Sequence, residues 1–166
     1  MYRRSIVAAV PALILLLALG PATAQAQSAA KDLVGTWTLV NVWAVQGDKK
    51  SEQFGANPKG QVVFDTLGRF TMVVTRADLP KYAAGSRAKG TPDEHKATVT
   101  GSVAYFGTYK VEGSDIIYLI EGSTYPNWVG ETQKRGFKLD GDTLIYTNTG
   151  PSQAGAATEL AWKRVK

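Results

Sequence analysis

The chain has 166 residues, a formal net charge of +5, one histidine and no cysteine. That length suits one domain with a substantial core. The missing thiols exclude disulfides, thiolate metal sites and cysteine nucleophiles. The scattered basic residues lack the basic, aromatic-interleaved run of a nucleic-acid footprint, so no nucleic acid is expected as a partner.

Residues 1–26 read as an export signal. Arg3 and Arg4 make a basic start, residues 5–19 (SIVAAVPALILLLAL) form an apolar run, and ATA and AQA supply small-residue cleavage sites after Ala24 or Ala26. The run is shorter than the ~20 residues of a membrane span. The expectation is an exported protein, periplasmic or secreted, with no stable membrane insertion after processing. A linker at 27–32 and one folded domain at 33–166 follow.

The rest alternates and is rich in Val, Thr, Tyr and Trp, which predicts eight strands at 35–45, 61–65, 69–76, 104–112, 115–122, 131–139, 143–148 and 158–165. Three connections are tight turns, DTLG (65–68), EGSD (112–115) and DGD (140–142); they alternate with long ones at 46–60, 77–103, 123–130 and 149–157. In an antiparallel meander this puts every tight turn at one end and every long loop at the other, a cup with a floor and a rim. Closure removes both sheet edges, so the fold class is all-β, an eight-stranded antiparallel up-and-down barrel. In the loop between strands 3 and 4, TPDE (91–94) predicts a helix starting at Pro92. It is placed at the rim as a lid, with packing outside the sheet as the alternative.

First and last strands are neighbours in such a barrel, so Trp37 and Arg164 are expected to meet at the floor by cation–π stacking, with Gly35 allowing close approach and Trp162 filling the base. GTW near the start and WKR at the end resemble the lipocalin signature. NPKGQVVFDTLGRFTMVV, AYFGTYKVEG, PNWVG and KRGFKLDGDTL, in that order, resemble the bacterial and fungal lipocalin-like domain family over roughly residues 32–165. The resemblance implies a ligand-sized, lipocalin-like barrel. Some relatives appear beside small-molecule biosynthesis and a few are enzymes. The insertion YAAGSRAKGTPDEHK (82–96) departs from the pattern and puts an inherited lid in doubt.

Alternation assigns Gln133, Arg135, Phe137 and Leu139 inward, because Thr132, Lys134, Gly136 and Lys138 suit solvent. The same rule turns in Asn41 and Trp43 on strand one, Tyr105 and Tyr109 on strand four, Tyr118 on strand five and Tyr146 on strand seven. The candidate ligand-binding set is Asn41, Tyr105, Tyr109, Tyr118, Gln133, Arg135 and Tyr146, in the upper half of the barrel. A buried arginine needs a partner. Either a ligand carboxylate, phosphate or phenolate supplies it, or Asn41, tyrosine hydroxyls, water or Glu131 close a polar core. Tyr125 and Trp128 at the rim gate a mouth or pin a Pro-Asn turn.

His95 follows Asp93 and Glu94 on the predicted helix and suits a solvated face; one histidine cannot build a two-histidine metal site. No cofactor, metal site or catalytic residue is assigned. The leading reading is a module binding a small apolar or amphipathic molecule, carboxylate-bearing in one version. An enzyme on the same barrel, moving protons through Arg135, Tyr109 and His95 or Glu94, is the alternative. An envelope interaction protein with a filled barrel is the third, and an interior filled by Trp and Tyr would favour it.

Overall fold

Along Arg69–Thr75 every second side chain is buried: Phe70, Met72 and Val74 point one way, Thr71 and Val73 the other. The same two-residue period runs through most of the sheet in a computed structural model, which describes residues 29–148 and 157–166. The expected export signal at 1–26 and most of the 149–157 connection lie outside the described residues.

The strands are β1 (Gly35–Gln46), β2 (Lys49–Glu52), β3 (Lys59–Phe64), β4 (Arg69–Thr75), β5 (Ser102–Glu112), β6 (Asp115–Ser123), β7 (Thr132–Asp140), β8 (Thr143–Asn148) and β9 (Ala157–Arg164). All pairings are antiparallel, in the order β2-β1-β3-β4-β5-β6-β7-β8-β9, and β1 also pairs with β9. Eight strands close the expected barrel; β2 is an addition to it. β9 runs along one edge of β1 from Trp37 to Val45, so β3 at residues 35–38 and β2 at residues 43–46 share the other edge. The connection read from sequence as a long loop thus begins with a two-residue hairpin at Gly47–Asp48, where Gly47 has a φ of 58°.

The three tight turns expected from the sequence, at 65–68, 112–115 and 140–142, fall together at the end where β1 begins. That floor is sealed by the seam itself. Trp37 and Arg164 are paired residues of β1 and β9, with the guanidinium 4.1 Å from the ring centroid. Arg164 Nη1 donates to the carbonyl of Val34 at 2.9 Å, and Nη2 donates to that of Asp32. Residues 29–33, expected as linker and domain start, are helical; Leu33 is fully buried and accepts from Trp37 Nε1 at 2.9 Å. Gly35 has a φ of 135°, and a Cβ there would sit 3.0 Å from Arg164 Nη1. The chain therefore turns into the barrel only where there is no side chain.

Two expectations about facing are corrected. The register of β1 against β9 shifts between Leu39 and Asn41, a β-bulge that reverses the phase of the strand above it. Val42 becomes the buried residue, opposite buried Leu160. Asn41 and Trp43 pair with Ala161 and Glu159 on the outer face instead of pointing inward.

The helix Pro92–Thr100 forms with its Thr91–Glu94 capping box and Pro at the first turn, as TPDE predicts. Its lid placement is corrected: none of its residues is buried and none lines the interior. It packs instead on its own preceding loop. Tyr82 OH donates to Thr98 Oγ1 at 3.0 Å, Ala83 N donates to Glu94 Oε1 at 2.7 Å, and His95 Nε2 lies 2.9 Å from the carbonyl of Arg87.

The seam makes a quantitative prediction. Arg164→Ala removes a cation–π contact and hydrogen bonds to two carbonyls, and should lower unfolding free energy by about 2 kcal/mol. Urea denaturation followed by tryptophan fluorescence measures it; a change below about 0.5 kcal/mol would mean the pair does not lock the seam.

Candidate functional site

β7 carries two lysines on its outer face, so its pleat turns Arg135 inward. At 7% exposure Arg135 is the one charged side chain buried among the described residues. Its guanidinium makes three hydrogen bonds: Nη1 donates to Asn148 Oδ1 at 3.0 Å and to the carbonyl of Lys134 at 3.3 Å, and Nη2 donates to Gln133 Oε1 at 2.5 Å. A guanidinium has five N–H groups, so two are left over. No ion pair among the described residues includes Arg135. Residues 1–28 and 149–156 contain no Asp or Glu. The positive charge is therefore held by neutral oxygens alone, and Glu131 is not its partner.

A cavity of about 50 Å³ opens beside it at the rim end. Arg135, Asn148 and Thr158 form one wall; Val42, Gln53, Phe54 and Leu160 form the next. Met72, Val74, Val103, Tyr105 and Tyr146 close the inner side. Trp128 covers the mouth from the short turn Pro126–Trp128, edge-on to Tyr105 at 5.2 Å and to Tyr125 at 5.5 Å. Both rim aromatics are thus part of one stack, and Trp128 borders the cavity.

The sequence-derived set is divided by this geometry. Arg135, Tyr105 and Tyr146 line the cavity, and Gln133 stands behind Arg135 as its hydrogen-bond partner. Asn41 is outside, displaced by the bulge. Tyr109 lies at the floor, not in the upper half: its hydroxyl donates to the carbonyl of Asp65 in the first tight turn at 3.1 Å. Tyr118 is buried among Phe64 and Phe70, at ring distances of 6.3 and 4.6 Å, and does not border the cavity. His95 and Glu94 belong to the outer helix and are absent from the lining.

Several lining residues escaped the sequence reading. Asn148 and Thr158 were within reach of it, because Leu144, Tyr146 and Asn148 continue one inward alternation. Gln53 and Phe54 depend on the β1–β2 hairpin, for which Gly47–Asp48 was the available signal.

The hydroxyls of Tyr105 and Tyr146 both donate to Met72 Sδ, at 2.9 and 3.0 Å. A thioether is a weak acceptor, and the two hydroxyls also interact with each other beside it. Burial pushes the Tyr105 hydroxyl above the ordinary tyrosine range, and those of Tyr118 and Tyr146 well above it; the nearby Arg135 charge offsets part of the rise in each. All three stay protonated near neutrality, and those of Tyr105 and Tyr146 act as donors.

The matching family model is described as a lipocalin-like domain and spans residues 34–165; the chain belongs to that family. A curated relative, the 4'-hydroxy-3'-methoxypropiophenone carrier protein ppsC of Aspergillus oryzae, is 28% identical over 103 residues, which is 55% of this chain and 93% of the relative. Among solved structures, a lipocalin-like protein from Bacteroides uniformis aligns over 81% of this chain and 99% of its own, at 16% identity and a TM-score of 0.43. A mutant of the fluorescent protein UnaG aligns over 82% of this chain and 98% of its own, at 10% identity and a TM-score of 0.39.

Raised phenol values in the folded state mean that the unfolded chain loses those protons first as pH climbs. The associated stability is complete below the unfolded tyrosine value, about 10, and falls as pH rises beyond it. Phenolate absorbance should show Tyr105, Tyr118 and Tyr146 silent until alkaline unfolding. Their titration within the native barrel would contradict the burial of this cluster.

Proposed function

We propose that this protein is a carrier for a small, largely apolar molecule bearing one oxygen acceptor, a carboxylate, phenolate or ketone, which docks against Arg135 in the barrel mouth. The observation that carries this reading is the buried guanidinium with no carboxylate partner and two unused N–H groups. Taking a charge out of water without a counter-charge costs several kcal/mol, and a ligand oxygen offsets part of that cost. The relative that is named as a carrier of a small aryl ketone supports the same reading.

Volume sets the condition for entry. An apolar cavity that accepts one benzene ring measures about 150 Å³, three times the space beside Arg135. A single-ring ligand enters only if Trp128 swings aside. Trp128 is half-buried, sits on a three-residue turn and has no side-chain hydrogen bond among the described residues.

The same small volume favours a second reading, an envelope interaction protein with a filled barrel. The enzyme reading draws less support. The lining has an oxyanion-binding group but, among the described residues, no carboxylate, imidazole or amine to carry a proton, and its tyrosines are held protonated.

Arg135→Met separates carrier from filled barrel. An apolar replacement of similar size relieves the buried charge but takes a donor from Asn148 Oδ1 and Gln133 Oε1, so the two effects offset and the urea midpoint should change little. Affinity for 4'-hydroxyacetophenone and benzoate, read by tryptophan quenching, should fall by about tenfold to a hundredfold. If the wild-type protein binds neither these nor longer aliphatic acids, the filled-barrel reading replaces this one.

We propose also that the protein acts outside the cytoplasm after loss of residues 1–26. The apolar run behind two arginines supports this. Intact mass of the protein isolated from its host should correspond to a chain beginning at Gln25 or Gln27; a full-length mass would overturn it.

A further inference from the structure

We infer that Gln53 reads a second polar group on the ligand, a hydroxyl or N–H donor directed away from Arg135. This rests on the carrier reading above and goes beyond it, because it makes the ligand bifunctional.

Four buried side-chain atoms have no hydrogen-bond partner among the described residues: Asn41 Oδ1, Gln53 Oε1, Tyr118 OH and Trp162 Nε1. Buried polar atoms are nearly always satisfied in folded proteins, so each exception asks for a partner. Of the four residues, Gln53 alone borders the cavity. Its free atom is a carbonyl oxygen, which accepts. The missing partner therefore donates.

The position is built rather than incidental. Gln53 N donates to the carbonyl of Val42 at 3.1 Å, which ties the residue to the inner, rim-end stretch of β1 just beyond the bulge. Phe54, the next residue, is 6% exposed and anchors the segment in the core. In the closed ring of eight strands, β8 and β9 separate β7 from β1. Arg135 and Gln53 thus border the cavity from non-adjacent parts of the ring, β7 and the segment tied to β1. One offers N–H donors and a positive charge; the other offers an oxygen. Met72, Val74 and Leu160 add apolar surface to the same cavity.

The occupant that fits has an oxygen acceptor at one end of a compact apolar body and a donor at the other. A para-hydroxy aryl ketone or para-hydroxy aryl carboxylate has that pattern. A site whose buried oxygen needs a donor discriminates against the analogue that lacks one, because binding that analogue leaves the oxygen unmet.

The test uses two matched series: acetophenone, 4'-hydroxyacetophenone and 4'-methoxyacetophenone, and the corresponding benzoates. Each is titrated by calorimetry into the wild-type protein and into Gln53→Leu. The wild type should bind the hydroxy member more tightly than the methoxy member by about tenfold in each series it accepts. In Gln53→Leu that ratio should collapse to within about twofold. A wild type that binds the methoxy or unsubstituted member as well as the hydroxy member overturns the inference while leaving the carrier reading standing. So does a preference that survives in Gln53→Leu. Should the leucine variant not fold, the wild-type ranking alone decides. A wild type that binds none of the six overturns this inference; if it also binds no longer aliphatic acid, the carrier reading falls with it.

Discussion

The pairing of β1 with β9 is the constraint from which the interior follows. Without it the chain would be an open eight-stranded sheet with one apolar face in water and two unpaired edges. With it, every inward residue from Trp37 to Trp162 becomes enclosed, and the twist of the sheet turns a face into a volume. The closure is held at its lower end by an interlocked group. The guanidinium of Arg164 lies over Trp37, the Trp37 indole reaches back to Leu33, and Gly35 leaves the room in which the arginine binds the carbonyls of residues 32 and 34. The N-terminal helical turn therefore belongs to the barrel's base. It supplies both a plug, Leu33, and two of the acceptors that the seam requires.

Closure at the floor is regular; at the rim it is not. Above Leu39 the bulge in β1 changes which side chains face inward, and β2 takes over the edge that β3 occupies below. These two irregularities create the mouth. They bring Val42, Gln53 and Phe54 to the lining and send Asn41 and Trp43 outside. They also explain what could be read from the sequence. On β3 to β8 a period of two predicts the buried set, from Val62 to Tyr146, because those strands lie on one phase of the pleat along most of their buried length. On β1 the same rule holds as far as Leu39 and then inverts, and no single residue type announces a bulge. The Trp37–Arg164 contact was legible because it depends only on which strands are neighbours. The helix start was legible because Thr91, Pro92 and Glu94 act locally. Its place in the molecule was not, since rim and exterior differ only in tertiary packing.

The candidate site combines two opposed facts. Its volume is less than a ligand of one ring needs, and its wall holds a buried guanidinium that has no carboxylate partner among the described residues. The unpaired Arg135, two phenols that donate to a thioether, and an orphaned amide oxygen are all costs in an empty barrel. A core selected only for stability would replace Arg135 together with its polar partners by apolar side chains. The retained charge shares its cavity with Trp128, a half-buried ring on the short turn Pro126–Trp128. Stability is lost at the site and recovered in the seam and in the aromatic packing of Phe64, Phe70 and Tyr118 beneath it.

The segment between β4 and β5 has a consequence of another kind. Thr75 and Ser102 are already paired at its base, and residues 82–98 are held by hydrogen bonds among themselves while the helix buries nothing in the barrel. The barrel thus meets this excursion as a hairpin whose stem is complete before the loop begins. Its length and composition are free to drift without re-registering a single strand. It is a natural point for grafting a new recognition element onto the scaffold, one residue pair beyond Val74 and Val103 of the cavity lining.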